Sequence, residues 1–265
     1  MWSGGHVPRV VIGLWICGLA SFPAQAGCPV QVSFDFRDGV QGWEADFADY
    51  PLSDRPDYEF EAELRELPEE VGEGTGFWLH SHNSCDDIFM FLKRRLGPED
   101  GIVANQAYRL RFSITFASNA PSNCSGIGGA PGESVYLKAG ASPIEPLPIF
   151  DEEYWVRMNV DKGNQASGGP AASVVGNIAN GIECADLPNP DECPYVSLRR
   201  VHLHEYTVQA NADGELWLLI GTDSGFEGPT GLYYQRIVVR LVPAFTTQTA
   251  AKPAGPLQPA EEVPR

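Results

Sequence analysis

The stretch Ala107–Ser142, AYRLRFSITFASNAPSNCSGIGGAPGESVYLKAGAS, decides the fold. Tyr108, Leu110, Phe112, Ile114 and Phe116 share one parity, and Arg109, Arg111, Ser113 and Thr115 share the other. A period of two marks a strand with one buried face. A loop of Asn, Pro, Ser and Gly follows, then a second strand over Glu133–Ala139. Two strands joined by so long a loop predict the middle of a β-sandwich whose loops carry its specificity.

The alternation recurs on both sides of this stretch. Val30, Val32, Phe34 and Phe36 line one face, and so do Tyr58, Phe60, Ala62 and Leu64, with Glu59, Glu61 and Glu63 opposite. Gly76–His82 and Asp87–Leu96 are predicted strands around the turn His82–Asp86. Ile88 to Leu92 is apolar on both parities, which predicts cover on both faces. Glu152–Val160, Tyr195–Gln209, Glu215–Gly221 and Leu232–Val242 complete the set, with ANADG at Ala210–Gly214 as a tight turn. Asp161–Pro194 is long and poor in hydrophobic residues, so it is either functional or pinned in place. About ten to twelve short strands without an amphipathic helix predict an all-β, jelly-roll-type β-sandwich. It forms a single domain over residues 27–242, followed by a Pro- and Ala-rich disordered tail, 243–265.

The first 26 residues read as a signal peptide: Arg9, the short apolar run Val10–Ala20, and Ala24-Gln25-Ala26 as the cleavage site. That run is shorter than the about 20 residues that cross a bilayer, and no later stretch qualifies as an integral membrane span. The chain is therefore expected to be secreted or periplasmic. Ala26-Gly27-Cys28 is also the end of a lipoprotein box, which gives a second reading, a surface adhesion or structural protein anchored by a lipid on Cys28. Acidic residues outnumber basic ones 35 to 18, for a formal charge of −17. Such a balance argues against nucleic acid and against an anionic membrane as partners, and makes a divalent cation an acceptable guest. Of the cysteines beyond the leader, Cys184 and Cys193 bracket a compact Pro-rich loop and are expected to pair, with Cys85–Cys124 as the second bridge.

FDFRDGVQGW at Phe34–Trp43, YRLRFSITF at Tyr108–Phe116 and LYYQRIVVRLV at Leu232–Val242 are spaced like the first, middle and last strands of secreted jelly-roll modules. The chain thus resembles galactose-binding-like domains and related carbohydrate-binding modules. Phe116–Ser142 and Gly221–Tyr234 also resemble segments of an uncharacterised group of bacterial secreted proteins. The resemblance implies a glycan or another extracellular polymer as partner, and a structural calcium held near the first and last strands. Asp35 matches the first of these calcium positions, while the last strand carries Tyr234-Gln235-Arg236 where an acid is expected.

Two kinds of site compete. Rings stack on sugar faces while amides and carboxylates bond hydroxyls. Trp43, Trp78 and Tyr233, with Asp86, Asp87, Asn119 and Asn123, are the candidate ligand-binding residues, and Trp43 is expected to be exposed because it follows a Gly-rich turn. The alternative is a metal-dependent, cupin-like enzyme. His80 with His82, and His202 with His204, are H-x-H pairs, and residues i and i+2 of a strand share a face. Two such pairs on neighbouring strands would hold a transition metal. Gly74, His80, His82 and Asp86 match half of a cupin signature, but its second half is absent. GIGGAPG at Gly126–Gly132 fails as a dinucleotide fingerprint, since Pro131 stands where the last glycine belongs and a strand follows. No nucleophile elbow, P-loop or H-E-x-x-H is present, so the reading that leads is a secreted, non-catalytic ligand-binding protein.

Overall fold

A computed structural model describes residues 28–52, 58–84 and 87–244. The predicted leader and nearly all of the predicted tail lie outside these residues. The chain opens with β1 (Val30–Asp35), β2 (Glu44–Ala48), β3 (Tyr50–Pro51), β4 (Glu61–Glu66) and β5 (Thr75–Asn83). Next come β6 (Phe89–Leu96), β7 (Ala107–Ser118), β8 (Val135–Ser142), β9 (Pro148–Phe150) and β10 (Trp155–Met158). β11 (Ser173–Asn177), β12 (Val196–Leu203), β13 (Val208–Gln209), β14 (Leu216–Ser224) and β15 (Gly228–Ala244) follow. Among the described residues there is no α-helix, and so no helix that could cross a membrane.

The strands form two antiparallel sheets, as the alternation predicts. The first has the order β12-β7-β15-β5-β4, with β1 on the far half of β15 and β13 at the start of β7. The second has the order β11-β8-β14-β6-β2, and a small third sheet joins β3, β10 and β9. This is an all-β jelly-roll sandwich. Tyr108, Leu110, Phe112, Ile114 and Phe116 of β7 all point inward and are buried, while Arg109 and Arg111 are exposed. From β15 come Leu232, Tyr234, Ile237, Val239 and Leu241, kept in phase by a bulge between Tyr234 and Arg236. Leu137, Ala139, Leu218 and Ile220 meet them from the second sheet. Each large side chain so buried contributes roughly 1.5–3 kcal/mol.

Trp43 corrects the expectation of exposure. It is 3% exposed and packs edge-to-face on Phe34 and Phe36, at 5.5 and 6.4 Å between ring centroids. Gly39, Gln41 and Gly42 take positive φ, and the Trp43 amide donates to the Val40 carbonyl. The turn thus folds back on itself and returns the indole to the core.

β6 is covered on both faces. Met90 and Leu92 join the main core, while Phe89 and Phe91 meet Ala171, Ala172 and Leu219 in a second cluster outside the sheet. The segment that covers them belongs to the long hydrophobic-poor stretch, and buried charge pins it there. Asp223 of β14 is fully buried, and its Oδ2 accepts from Lys138 Nζ at 2.6 Å, Lys162 Nζ at 2.7 Å and the Gln165 amide at 2.9 Å. Lys138 spends its other protons on the carbonyls of Lys162 and Ser167. Lys162 also pairs with Asp49 at 2.8 Å. Two ammonium groups thus balance two carboxylates. Burial pushes the Lys138 ammonium down. Burial also acts against the charge of Lys162, but Asp223 and Asp49 outweigh it and hold that group above its ordinary range.

Breaking one partner out of a buried ion pair costs about 3–5 kcal/mol. Lys162→Met strips Asp49 of its ion-pair partner, so urea unfolding should show a lower midpoint at unchanged slope, with the unfolding free energy down by that much; an unchanged midpoint contradicts the pinning role. Asp87 supplies a pH test. Its carboxyl is pushed up to about 7, first by burial and then by the charge of Asp223, against Lys162 and Arg157. The folded state therefore holds a proton that an unfolded chain releases near pH ~3.9. This contribution to stability is complete below that pH and is lost as the pH rises through about 7. Thermal melts should show Asp87→Asn gaining on the parent between about pH 4 and pH 8, and a gap independent of pH would contradict the assignment.

Candidate functional site

A ring-lined cleft opens where one strand stops short. β7 ends at Ser118, opposite Leu232, but β5 stays paired with β15 back to Gly228. Gly228–Gly231 therefore have a ladder neighbour on the β5 side and none from β7. The chain after Ser118 arches away, and a cleft of about 410 Å³ remains beside them. The rings of Trp78, His80, Tyr195 and Phe226 line it, with Asn119, Asp191 and Thr230 among the polar groups. Thr230 Oγ1 is buried and has no hydrogen-bond partner among the described residues.

Gly231 explains how the rings sit. A Cβ there would fall 2.1 Å from Trp78 Cη2, so only glycine lets the indole lie across the strand. Trp78 is then held on several sides. Its Nε1 donates to Glu61 at 2.8 Å, Arg65 stands over the ring at 5.1 Å, and Tyr233 packs at 4.5 Å. The Trp78 hydrogen bond holds the Glu61 carboxyl below its ordinary range. His80 stacks on Trp78 at 5.7 Å and 12°, and its Nδ1 lies 3.1 Å from the Glu59 carbonyl. Tyr195 packs edge-on against Tyr233 at 5.3 Å, and burial pushes its phenol up. Trp78 and Tyr233 are 6% and 8% exposed, so they form the support of the cleft. Less buried than these two, His80 and Tyr195 carry the ring surface a ligand would meet.

The loop over the cleft is stitched to the long stretch 178–194. Cys124 and Cys184 form a disulfide across it, which corrects both expected bridges. Cys184 opens a short turn, Cys184–Asp186, and the Ser122 carbonyl accepts from its amide, so its side chain faces the loop at Cys124 and not Cys193. Cys193 is free and buried beside the Asn180 amide, where it packs as a small hydrophobe. Cys28 is free and exposed, and Cys85 lies outside the described residues. Asn123 does not face a ligand either, since its side chain donates to Glu183 at 2.8 Å. Asn119 does line the cleft.

The four histidines do not converge. His80 and His82 sit on β5 and His202 on β12, with β15 and β7 between them, roughly 14 Å by strand spacing. The pairs also face opposite ways: His80 joins Trp78 on the outer face, while His202 and His204 turn inward to Ser173 of β11 at 2.7 and 2.8 Å. His204 Nε2 donates to the Pro170 carbonyl, so Nδ1 is the acceptor for the Ser173 hydroxyl. Burial holds both rings below the usual histidine range. Among the described residues no group of three or more His, Cys, Asp or Glu is placed to hold a metal. Asp86 lies outside those residues, and Asp87 faces the buried charges of the second sheet. Asp35, the calcium candidate, is engaged by Arg37 at 2.6 Å and stands opposite Arg236, so cations occupy its surroundings.

No family model matches the chain, and no curated protein gives a significant match. Among solved structures it is similar to TmCBM61 in complex with β-1,4-galactotriose, at 9% identity and a TM-score of 0.35, over 77% of this chain and 92% of that one. It is similar to a xylan-binding domain from CBM 22 at 14% identity and a TM-score of 0.36, over 84% and 100%. The Stig cyclase Fisc from Fischerella sp. TAU matches at 10% identity and a TM-score of 0.35, over 81% and 90%. Scores this low say nothing of this chain's ligand or activity.

The cleft geometry makes its own prediction. Gly231→Ala should expel the indole from its seat and shift the Trp78 fluorescence and the near-ultraviolet dichroism, while the far-ultraviolet spectrum stays that of a β protein. Unchanged aromatic spectra would show that the Gly231 contact does not position the ring.

Proposed function

We propose that the chain is a glycan-binding β-sandwich whose ligand enters the cleft beside Gly228–Gly231. The observation that carries this reading is the meeting of rings and unspent polar groups in one cavity. Tyr195 and His80 offer faces for the apolar side of a sugar ring. Asn119 and Asp191 supply donors and acceptors for its hydroxyls. A cleft of about 410 Å³ is of the size that takes one or two sugar units. Asp191 is the carboxylate on this lining, whereas glycoside hydrolysis needs two carboxylates flanking the bond, so binding fits better than cleavage. The Cys124–Cys184 bridge supports an oxidising compartment, in keeping with secretion behind the predicted leader.

Affinity electrophoresis through gels of neutral and acidic polysaccharides tests the reading. At least one polymer should retard the protein, and Tyr195→Ala or His80→Ala should weaken that binding about tenfold, the scale of one stacking contact. If no polymer retards the protein, or both variants bind like the parent, the cleft is not a glycan site.

A further inference from the structure

The net charge of −17 conceals a basic face. On the outer side of the first sheet, β7 shows Arg109 and Arg111, β12 shows Arg199, and β15 shows Arg236 and Arg240, all exposed. The register sets Arg111 directly opposite Arg240, and places Arg199 and Arg236 on either side of Thr115. Like charges facing each other across a ladder are destabilising. Asp35 offsets part of this at Arg236 alone. Among the described residues Arg109, Arg111 and Arg240 make no ion pair. Arg199 and Arg236 donate only to the hydroxyls of Ser113 and Ser33. Asp35 stands across from Arg236 but is already held by Arg37. Between Arg111, Arg199 and Arg240 runs a groove of about 180 Å³, floored by Ser113, Val201 and Val238.

A surface kept only for solubility would mix its charges, and the rest of this chain does so with a large acidic excess. A cluster of unpaired arginines on such a chain is suited to an anion, because the planar guanidinium grips carboxylate or sulfate with two parallel bonds. The face is also continuous with the cleft. Tyr233, which supports Trp78, pairs with Ala117, and Arg111 lies six residues further along the same strand, about 20 Å away. A ligand that leaves the cleft along β7 runs over the arginines. At the cleft end of this path β4, the sheet edge, exposes Glu61 and Glu63 beside Arg65. A wide and densely charged polyanion such as duplex DNA, with one charge per ~1.7 Å, would meet those glutamates. A single thin chain with spaced charges would not.

We propose, building on the glycan reading of the cleft, that the ligand is an acidic polysaccharide whose carboxylate or sulfate groups lie over Arg111, Arg199 and Arg240. The test is titration calorimetry of the full chain with polygalacturonate, dextran sulfate, uncharged dextran and xylan, a short DNA duplex, and anionic phospholipid vesicles. Binding of polygalacturonate, dextran sulfate or both is expected, and the one bound tells carboxylate from sulfate. Affinity should fall steeply between about 50 and 200 mM salt. Arg111→Gln with Arg240→Gln should weaken it at least tenfold, roughly 1.4 kcal/mol, with a melting temperature equal to or above the parent's because a repulsion is removed. The single Arg240→Gln change decides the matter if the double variant folds poorly. An uncharged polymer bound as tightly, and unaffected by the arginine variants, would leave the cleft reading standing and overturn this one. Failure of every polysaccharide would overturn both. Tighter binding of the duplex or the vesicles than of any polysaccharide would assign the arginines to another partner and also overturn the proposal.

Discussion

The ladder between β7 and β15 is the constraint on which the outer face of the first sheet depends. It runs from Ala107 opposite Ala244 to Ser118 opposite Leu232. On its far side β15 takes β5 along its first half and β1 along its second, and β7 takes β12 and β13. The inward residues of the two strands make the core, so a register slip of one position would bury Arg109, Arg111, Arg236 and Arg240 and expose the aromatic row. The same register fixes what is presented outside. It sets Tyr233 next to Ala117 and opposite Trp78, and it sets Arg111 against Arg240. The cleft exists because this ladder ends four residues before the β5–β15 pairing does, at Ser118 and not at Asn83's partner Gly228.

The second sheet solves a different problem. Phe89, Phe91 and Leu219 point away from the main core and need cover. The stretch that reaches them is too poor in large apolar residues to bind there by hydrophobic burial alone. Asp223, Lys138, Lys162 and Asp49 supply the missing specificity, since an ammonium buried in one place needs its carboxylate in that same place. Lys138 reaches two loop carbonyls as well, so strand and loop share one polar knot. Covering one outer sheet face in this way leaves the other, with its rings and arginines, as the face open to a ligand.

The sequence made some of this legible. The β7 parity by itself names five core residues and two exposed arginines, and the two-sided apolar run at Ile88–Leu92 foretells the double cover of β6. The burial of Trp43 is not legible, because a Gly-rich turn reads equally as an exit from the core, whereas its positive φ angles make it a return. The disulfide is not legible, because a compact loop between Cys184 and Cys193 says nothing of which other loop lies beside it. Cys124 and Cys184 are 60 residues apart and meet only because two loops fold over the same cleft. Lys138 and Asp223 occupy outward parity on their strands, where a lone charge reads as solvated, and nothing local announces that a loop will cover them. The histidine pairs were real as pairs on their strands, but sheet order, which sequence does not supply, set them apart.

The arginine face shows why a whole-chain charge is a poor guide to partners. Electrostatic screening confines each charge to about 8–10 Å, so a ligand lying on the first sheet feels the arginines beneath it more than the glutamates on a distant edge. Net charge governs solubility and the approach from afar, while the local array governs what stays bound. The parity of YRLRFSITF already puts Arg109 and Arg111 on the solvent side, and the parity of RIVVRLV does the same for Arg236 and Arg240. What sequence alone lacked was the pairing of these two strands, which brings the four side chains onto one surface and adds Arg199 from the strand beyond. Once the ladder is known, the face follows from the same alternation that builds the core. Repulsion among its guanidinium groups is then the standing cost that an acidic ligand removes.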